Sequence, residues 1–168
     1  MRVAYADPPY LGLAAKFYGD PTYDRPGAHR DLVNRLVVEF PDGWAISLHE
    51  PSLAYYLSIC PPGVRVGAWV KPFVRATHAP NGVAHCWEPV IFCGGRIRRP
   101  RPTTHDWVSC VQEPGWHLMG AKPPRFCSWV FRVLGLEHTD ELVDLFPGSG
   151  AVGRAWVAYQ RQVEIAGV

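Results

Sequence analysis

Two short stretches of this sequence hold residue types that could do chemistry together. The first is Asp7-Pro8-Pro9-Tyr10, which follows directly on the apolar-rich segment Arg2 to Ala6. That order reads as a buried strand stopped by a rigid turn. The two prolines remove two backbone donors and stiffen the chain, so the Asp7 carboxylate and the Pro8 carbonyl become a fixed pair of acceptors beside the Tyr10 ring. An acceptor pair with an aromatic plate suits an exocyclic amino group on a flat base. Taken alone, the same four residues also describe an ordinary surface turn.

The second stretch is Leu142-Val143-Asp144-Leu145-Phe146-Pro147-Gly148-Ser149-Gly150, a strand that feeds a glycine-rich turn at the mouth of a helix. Glycines there allow a ligand to approach the backbone, and the helix that follows offers free amides and positive dipole character. Gly153 completes a G-x-G-x-x-G spacing, so a dinucleotide site is one reading and a purely structural turn is another. The dinucleotide reading needs an acid at the tip of a further strand about 20 residues on, to hold the ribose. Glu164 falls too early for that, and the sequence reaches only Val168.

The elements that must position these turns follow from periodicity. Apolar residues at Leu32, Val33, Leu36, Val37 and Phe40 predict an amphipathic helix over Ala28 to Phe40, after a loop from Tyr10 to Gly27. Trp44 to Leu48 reads as a strand, Pro51 opens a helix that stops at Pro61-Pro62-Gly63, and Val64 to Val70 reads as another strand. This alternation predicts an α/β domain, a mostly parallel sheet with helices on both faces. Lys122-Pro123-Pro124 opens a helix carrying Phe126, Trp129, Val130, Val133 and Leu134 on one face and ending at Gly135. A strand over Glu141 to Phe146 and a helix over Ala151 to Gln162 follow, with Val163 to Val168 as a final short strand. Between Lys71 and Trp116 the pattern weakens, leaving Val90 to Cys93 as one strand in a stretch rich in Pro, Gly, Arg and Trp.

With 168 residues, 48% of them apolar, one domain with a sizeable core is expected over 1-168. No run approaches the roughly 20 apolar residues of a spanning helix, and the start lacks the apolar stretch of a secretory signal, so no membrane partner and a cytoplasmic location are expected. Cys60, Cys86, Cys93, Cys110 and Cys127 form no C-x-x-C pair, which points to reduced thiols. His78, His85, Cys86, Cys93 and His117 have no standard zinc spacing, and no metal is expected. The net charge of +2 is small, yet Arg96, Arg98, Arg99 and Arg101 fall within six residues. They either track phosphates or form a solvated loop.

Taken together, these motifs resemble the DNA adenine-N6 and cytosine-N4 amino-methyltransferases, in the permuted arrangement where the D-P-P-Y block precedes the F-x-G-x-G block. Asp7 through Tyr10 match the first block, Asp144 through Gly150 the second, and Lys122-Pro123 with its helix the block before it. The resemblance implies a Rossmann-like methyltransferase fold with S-adenosylmethionine as cofactor and a nucleic acid, DNA above all, as partner. In that reading Asp7, Pro8, Pro9 and Tyr10 are catalytic, and Tyr10 also stacks on a base rotated out of its helix. Asp144, Phe146, Gly148, Ser149 and Gly150 hold the cofactor, with Pro123 beside Lys122, whose ammonium approaches the cofactor carboxylate or else sits on the surface.

The middle of the chain has no counterpart in that pattern. An irregular insert at about 76-116, with Arg96, Arg98, Arg99 and Arg101, is the expected substrate-recognition region. The ribose-binding acid of the family has no match, so another residue, or a homodimer or partner subunit, would complete the cofactor pocket. Adenine N6 in DNA is the leading target. Cytosine N4, RNA and protein are alternatives in the same chemistry, and an inactive binding module is the alternative outside it. The Ala, Arg, Pro, Gly and Trp usage fits a GC-rich bacterial or phage genome.

Overall fold

Strict alternation along β1 (Arg2–Ala6) gives it two apolar faces. Val3 and Tyr5 join one buried cluster and Ala4 and Ala6 join another, so the sheet built on β1 is covered on both sides. The computed structural model describes residues 1–72, 82–97, 103–111 and 121–166, with side chains through residue 162.

After β1 come α1 (Ala14–Tyr18), α2 (Pro26–Glu39), β2 (Gly43–Ser47), α3 (Leu53–Ile59) and β3 (Arg65–Val70). They are followed by β4 (Trp87–Gly94), β5 (Trp107–Ser109), α4 (Pro124–Val133), β6 (Glu141–Asp144) and α5 (Ala151–Ala166). The strands form one sheet in the order β5-β3-β4-β2-β1-β6. β1 is parallel to both β2 and β6, and β3 is parallel to β5. β4 runs against β2 and β3. Five of the six described strands therefore share one direction, and the mostly parallel α/β sheet expected from the alternation is present.

Helices α4 and α5 cover the face of Val3 and Tyr5, with Phe126, Val130 and Phe131 packed near Val152, Trp156 and Tyr159. Helices α2 and α3 cover the other face through Leu32, Val33, Leu36 and Tyr56. Pro26 starts α2 two residues earlier than expected, in the first-turn position where a missing amide costs nothing. The loop expected over Tyr10 to Gly27 contains α1, whose first amides, those of Ala14 and Ala15, donate to the Asp24 carboxylate at 2.6 and 3.1 Å.

Two expectations are corrected. The segment from Val163 is not a strand, because α5 continues to Ala166. Once its apolar face is seated on α4, each added residue gains a helical hydrogen bond, which outweighs the strand preference of Val163 and Ile165. The stretch 76–116 is not uniformly irregular either. Its described residues include β4, which lies between β2 and β3 in the sheet. Among the described residues no helix is long and apolar enough to cross a membrane.

Candidate active site

The parallel register of β1 and β6 sets Tyr5 opposite Asp144, and the Leu145 amide donates to the Tyr5 carbonyl at 2.9 Å. Both strands end at the same edge of the sheet. The proline turn after β1 and the glycine turn after β6 are thus neighbours, although they come from opposite ends of the sequence. Asp7, Tyr18, Lys122, Phe146, Gly148 and Ser149 line one cavity of about 340 Å³ between them.

Gly148 and Gly150 adopt φ of 42° and 72°. The positive values belong to the left-handed region, where a side chain is strained. The Gly150 amide donates to the Pro147 carbonyl at 2.6 Å, and the Ser149 hydroxyl accepts from the Ala151 amide at 3.3 Å, which closes the turn onto α5. At Gly148 a Cβ would meet nothing closer than the Phe146 carbonyl at 3.8 Å, so the space over the turn is open. Asp144 braces the turn through Oδ1, which accepts the Phe146 amide at 3.1 Å. Its Oδ2 is buried with no hydrogen-bond partner among the described residues. Burial, with Asp7 nearby, pushes the Asp144 carboxyl above its usual range. The Phe146 ring is held edge-on by Tyr23 at 5.3 Å.

Across the cavity, Lys122 is the decisive surprise. It precedes α4, is 6% exposed, and places Nζ 2.8 Å from Asp7 Oδ1. Glu88 Oε2 is 3.7 Å from the same ammonium, and Lys71 forms an ion pair with Glu88 Oε1. Two cations and two carboxylates thus neutralise one another. Both ammonium groups lie by the Trp69 ring, Lys71 at 4.3 Å and Lys122 at 5.4 Å from its centroid. Burial pushes the Asp7 carboxyl up and Lys122 only partly pulls it back. For Lys122 burial works against the charge, but Asp7 and Glu88 hold its pKa above the ordinary lysine value. Glu88 is held below the usual glutamate value because Lys122 and Lys71 overcome its burial.

Tyr10 stacks on His49, with centroids 5.0 Å apart and planes 12° from parallel. Burial, followed by the negative charges of Glu88 and Asp7, pushes its phenol pKa upward. No backbone amide of the described residues donates to the Pro8 carbonyl.

The expected site residues therefore divide. Asp7, Pro9, Phe146, Gly148, Ser149 and Lys122 meet at the cavity. Tyr10 adjoins them, and Pro123 caps α4, its carbonyl accepting the Cys127 amide at 3.1 Å. Lys122 is not on the surface: its ammonium lies beside Asp7 and Glu88, on the wall of the cavity that the glycine turn also lines. Arg96 turns toward the fold. Its guanidinium donates to Asp140 at 2.9 and 3.0 Å and to the Gly135 carbonyl at 3.0 Å, and it pairs with Glu137 at 3.1 Å. A guanidinium so neutralised has little left to offer a phosphate. Arg98, Arg99 and Arg101 lie outside the described residues, as do His78 and His117. His85 pairs with Glu50 at 3.2 Å, and among the described residues no cluster of His, Cys, Asp or Glu is placed to hold a metal ion.

Lys71, Glu88 and His49 were not legible as site residues. Glu88 stands in a stretch without periodicity, and only the return of β4 beside β3 brings it under Tyr10. The one available signal was a pair of charged residues beside otherwise apolar strand ends.

In sequence, the chain matches no family model and no curated protein. In structure it matches M1.HpyAVI. The two share a fold. The crystal structure of the M1.HpyAVI–SAM complex aligns with a TM-score of 0.64 and 14% identity, covering 95% of this chain and 78% of that one. The crystal structure of M1.HpyAVI alone aligns equally well, at 0.64 and 14%, covering 94% and 76%. The expected α/β architecture, a mostly parallel sheet with helices on both faces, is therefore observed, and it is the fold of M1.HpyAVI.

Proposed function

We propose that this chain is an S-adenosylmethionine-dependent methyltransferase acting on the exocyclic amino group of a nucleic-acid base, adenine N6 in DNA first among them. The observation that carries the reading is the shared cavity: the acceptor turn at Asp7 and the glycine turn at Gly148 face each other from adjacent parallel strands. The fold shared with a protein crystallised with SAM supports the choice of cofactor.

The residues present fit that cofactor. Gly148 and Gly150 give an open turn at the N-terminus of a long helix, and Asp144 Oδ2 is a buried acceptor in want of a donor such as an ammonium. Gly148, Ser149 and Gly150 would hold it, with Phe146 beside it and Asp144 beneath. When bound, S-adenosylmethionine supplies an electrophilic methyl group on a sulfonium centre.

The protein's own part is to prepare the acceptor nitrogen. The lone pair of an aromatic amine is delocalised into its ring, which makes the nitrogen a poor nucleophile. The Asp7 carboxylate and the Pro8 carbonyl accept its two N–H bonds, draw them out of plane and localise the pair. Asp7 is also the acceptor within reach for the proton that the nitrogen gives up on methylation. Tyr10, backed by His49, offers its ring to the base. Positioning and fixed charges supply the rate.

Sequence 1-168 is read as one methyltransferase domain, with the stretch at about 76-116 as the part that meets the polynucleotide and a homodimer or partner subunit as a means of completing the cofactor pocket. The test is direct. The purified protein is incubated with labelled S-adenosylmethionine and unmethylated DNA, RNA or protein; nucleic acids are digested to nucleosides and proteins to peptides for mass spectrometry. N6-methyl-2′-deoxyadenosine from DNA is the expected product. No transfer to any substrate, together with no cofactor binding by calorimetry, would overturn the reading.

A further inference from the structure

Glu88 contacts Lys71 and Lys122, the two cations beside Asp7. It enters from β4, the strand that runs against its neighbours, at the position paired with Trp69 of β3. Its side chain is 16% exposed and faces Lys71, Lys122 and Tyr10. Lys122 in turn holds Asp7 at 2.8 Å. We propose that Glu88 is a positioning residue of this site, a single anchor that holds Lys122 and, through it, the Asp7 carboxylate beside the Tyr10 ring. The inference rests on the methyltransferase reading and deepens it.

The physical argument concerns what each partner would do without this carboxylate. The Lys122 ammonium already contacts Asp7 Oδ1 at 2.8 Å, and Glu88 Oε2 at 3.7 Å is the second charge that fixes where along Asp7 it sits. If Glu88 were neutral, the ammonium would keep Asp7 as its one carboxylate and could swing across both of its oxygens, competing with the amino group of the base. Lys71 would lose its partner and retain only the Trp69 face. The Tyr10 ring, stacked on His49, would lose a fixed negative charge near its hydroxyl and with it part of what sets its plane. Each change misaims an acceptor or a stacking plane, and misplacement by about 1 Å costs up to about a hundredfold in rate. Neither Glu88 nor Lys71 lines the glycine turn, so cofactor affinity should be indifferent to both.

The experiment compares wild type, Glu88→Gln, Tyr10→Phe and the double variant, using plasmid DNA from a methylation-deficient host and tritiated S-adenosylmethionine. Glu88→Gln preserves shape and an acceptor while removing the charge; Tyr10→Phe removes only the hydroxyl. Glu88→Gln is expected to lower kcat about 10- to 100-fold, with the cofactor Kd from calorimetry changed less than about twofold. Tyr10→Phe is expected to lower kcat by about tenfold or less, and the double variant to lose less than the product of the two, because the groups act as one unit.

Asp7 is faced by Lys122, Lys71, Glu88 and Asp144. Removing one of the negative neighbours should move the acid limb of the kcat/KM profile to lower pH, a shift that a merely structural glutamate would not produce. Wild-type kcat in folded Glu88→Gln, or strict additivity with Tyr10→Phe, would overturn the proposal while leaving the methyltransferase reading intact. Should Glu88→Gln fail to fold, full kcat in Tyr10→Phe would overturn it, and a loss of kcat at unchanged cofactor Kd would support it. A wild-type protein with neither methyl transfer nor cofactor binding removes the reading and the proposal together.

Discussion

The Lys122 ammonium lies 2.8 Å from Asp7 Oδ1 and is almost wholly buried, so the Asp7 carboxylate is built as half of an internal ion pair. That contact ties the N-terminal proline turn to the start of α4, and through α4 to the apolar face that also carries α5. The fixed charges that would serve the reaction are thus part of the packing. Four predictions follow from this arrangement and from the turns beside it.

Replacing Asp7 by Asn keeps the shape of the turn but substitutes an amide donor for one of the two acceptor oxygens. Methyl transfer should fall by at least about 10²- to 10³-fold in kcat, as when one preorganised polar contact to a reacting group is lost. Cofactor binding, held by the glycine turn, should persist. Single-turnover transfer alongside calorimetry checks the split, and an active Asp7→Asn enzyme would remove Asp7 from the mechanism.

Lys122→Met removes a buried cation and leaves Asp7 without its counter-charge. The cost at neutral pH should be about 3–5 kcal/mol, the usual penalty for breaking a buried pair from one side. The deficit has a definite pH sign. An unpaired buried carboxyl has its folded pKa raised further, so the cost is complete above that raised value and disappears once pH falls below the unfolded value. Urea unfolding at pH 7 and at mildly acid pH should show the gap between variant and wild type narrowing toward acid.

At Gly150, with φ of 72°, an alanine is strained even where space allows, and its Cβ would come within 3.0 Å of an Arg154 guanidinium nitrogen. Gly150→Ala should cost about 1–2 kcal/mol of stability and loosen the turn over α5. The expected readout is a lower melting temperature with a weaker cofactor Kd by calorimetry.

Arg96→Ala separates a structural arginine from a nucleic-acid contact. Arg96, with the N-terminal ammonium and the Glu137 amide, holds the Asp140 carboxyl down to about 2 from an ordinary 3.8 although burial opposes this. A depressed carboxylate contributes stability above the unfolded pKa and loses it as pH falls through the folded one. The contribution is about 2 kcal/mol, present at neutral pH and lost between about pH 4 and 2. Arg96→Ala should forfeit most of it, while the salt dependence of DNA binding stays unchanged. A reduced salt slope would return Arg96 to the substrate surface.

The local patterns were enough for much of this protein. Strand-then-proline at Asp7, strand-then-glycine at Gly148 and the helical spacing of Phe126, Trp129, Val130 and Leu134 are short-range signals, since backbone dihedrals and one-sided burial are decided within a few residues. They identified the α/β class and both turns of the site. What they could not contain is pairing between distant strands. That β1 lies beside β6, that β4 returns antiparallel between β2 and β3, and that Lys122 points inward are outcomes of packing two apolar faces at once. The Asp7–Lys122–Glu88–Lys71 network belongs to this second kind. Its members come from three strand ends and the start of α4, and each charge is tolerable in the interior only because the tertiary structure brings the other three to meet it.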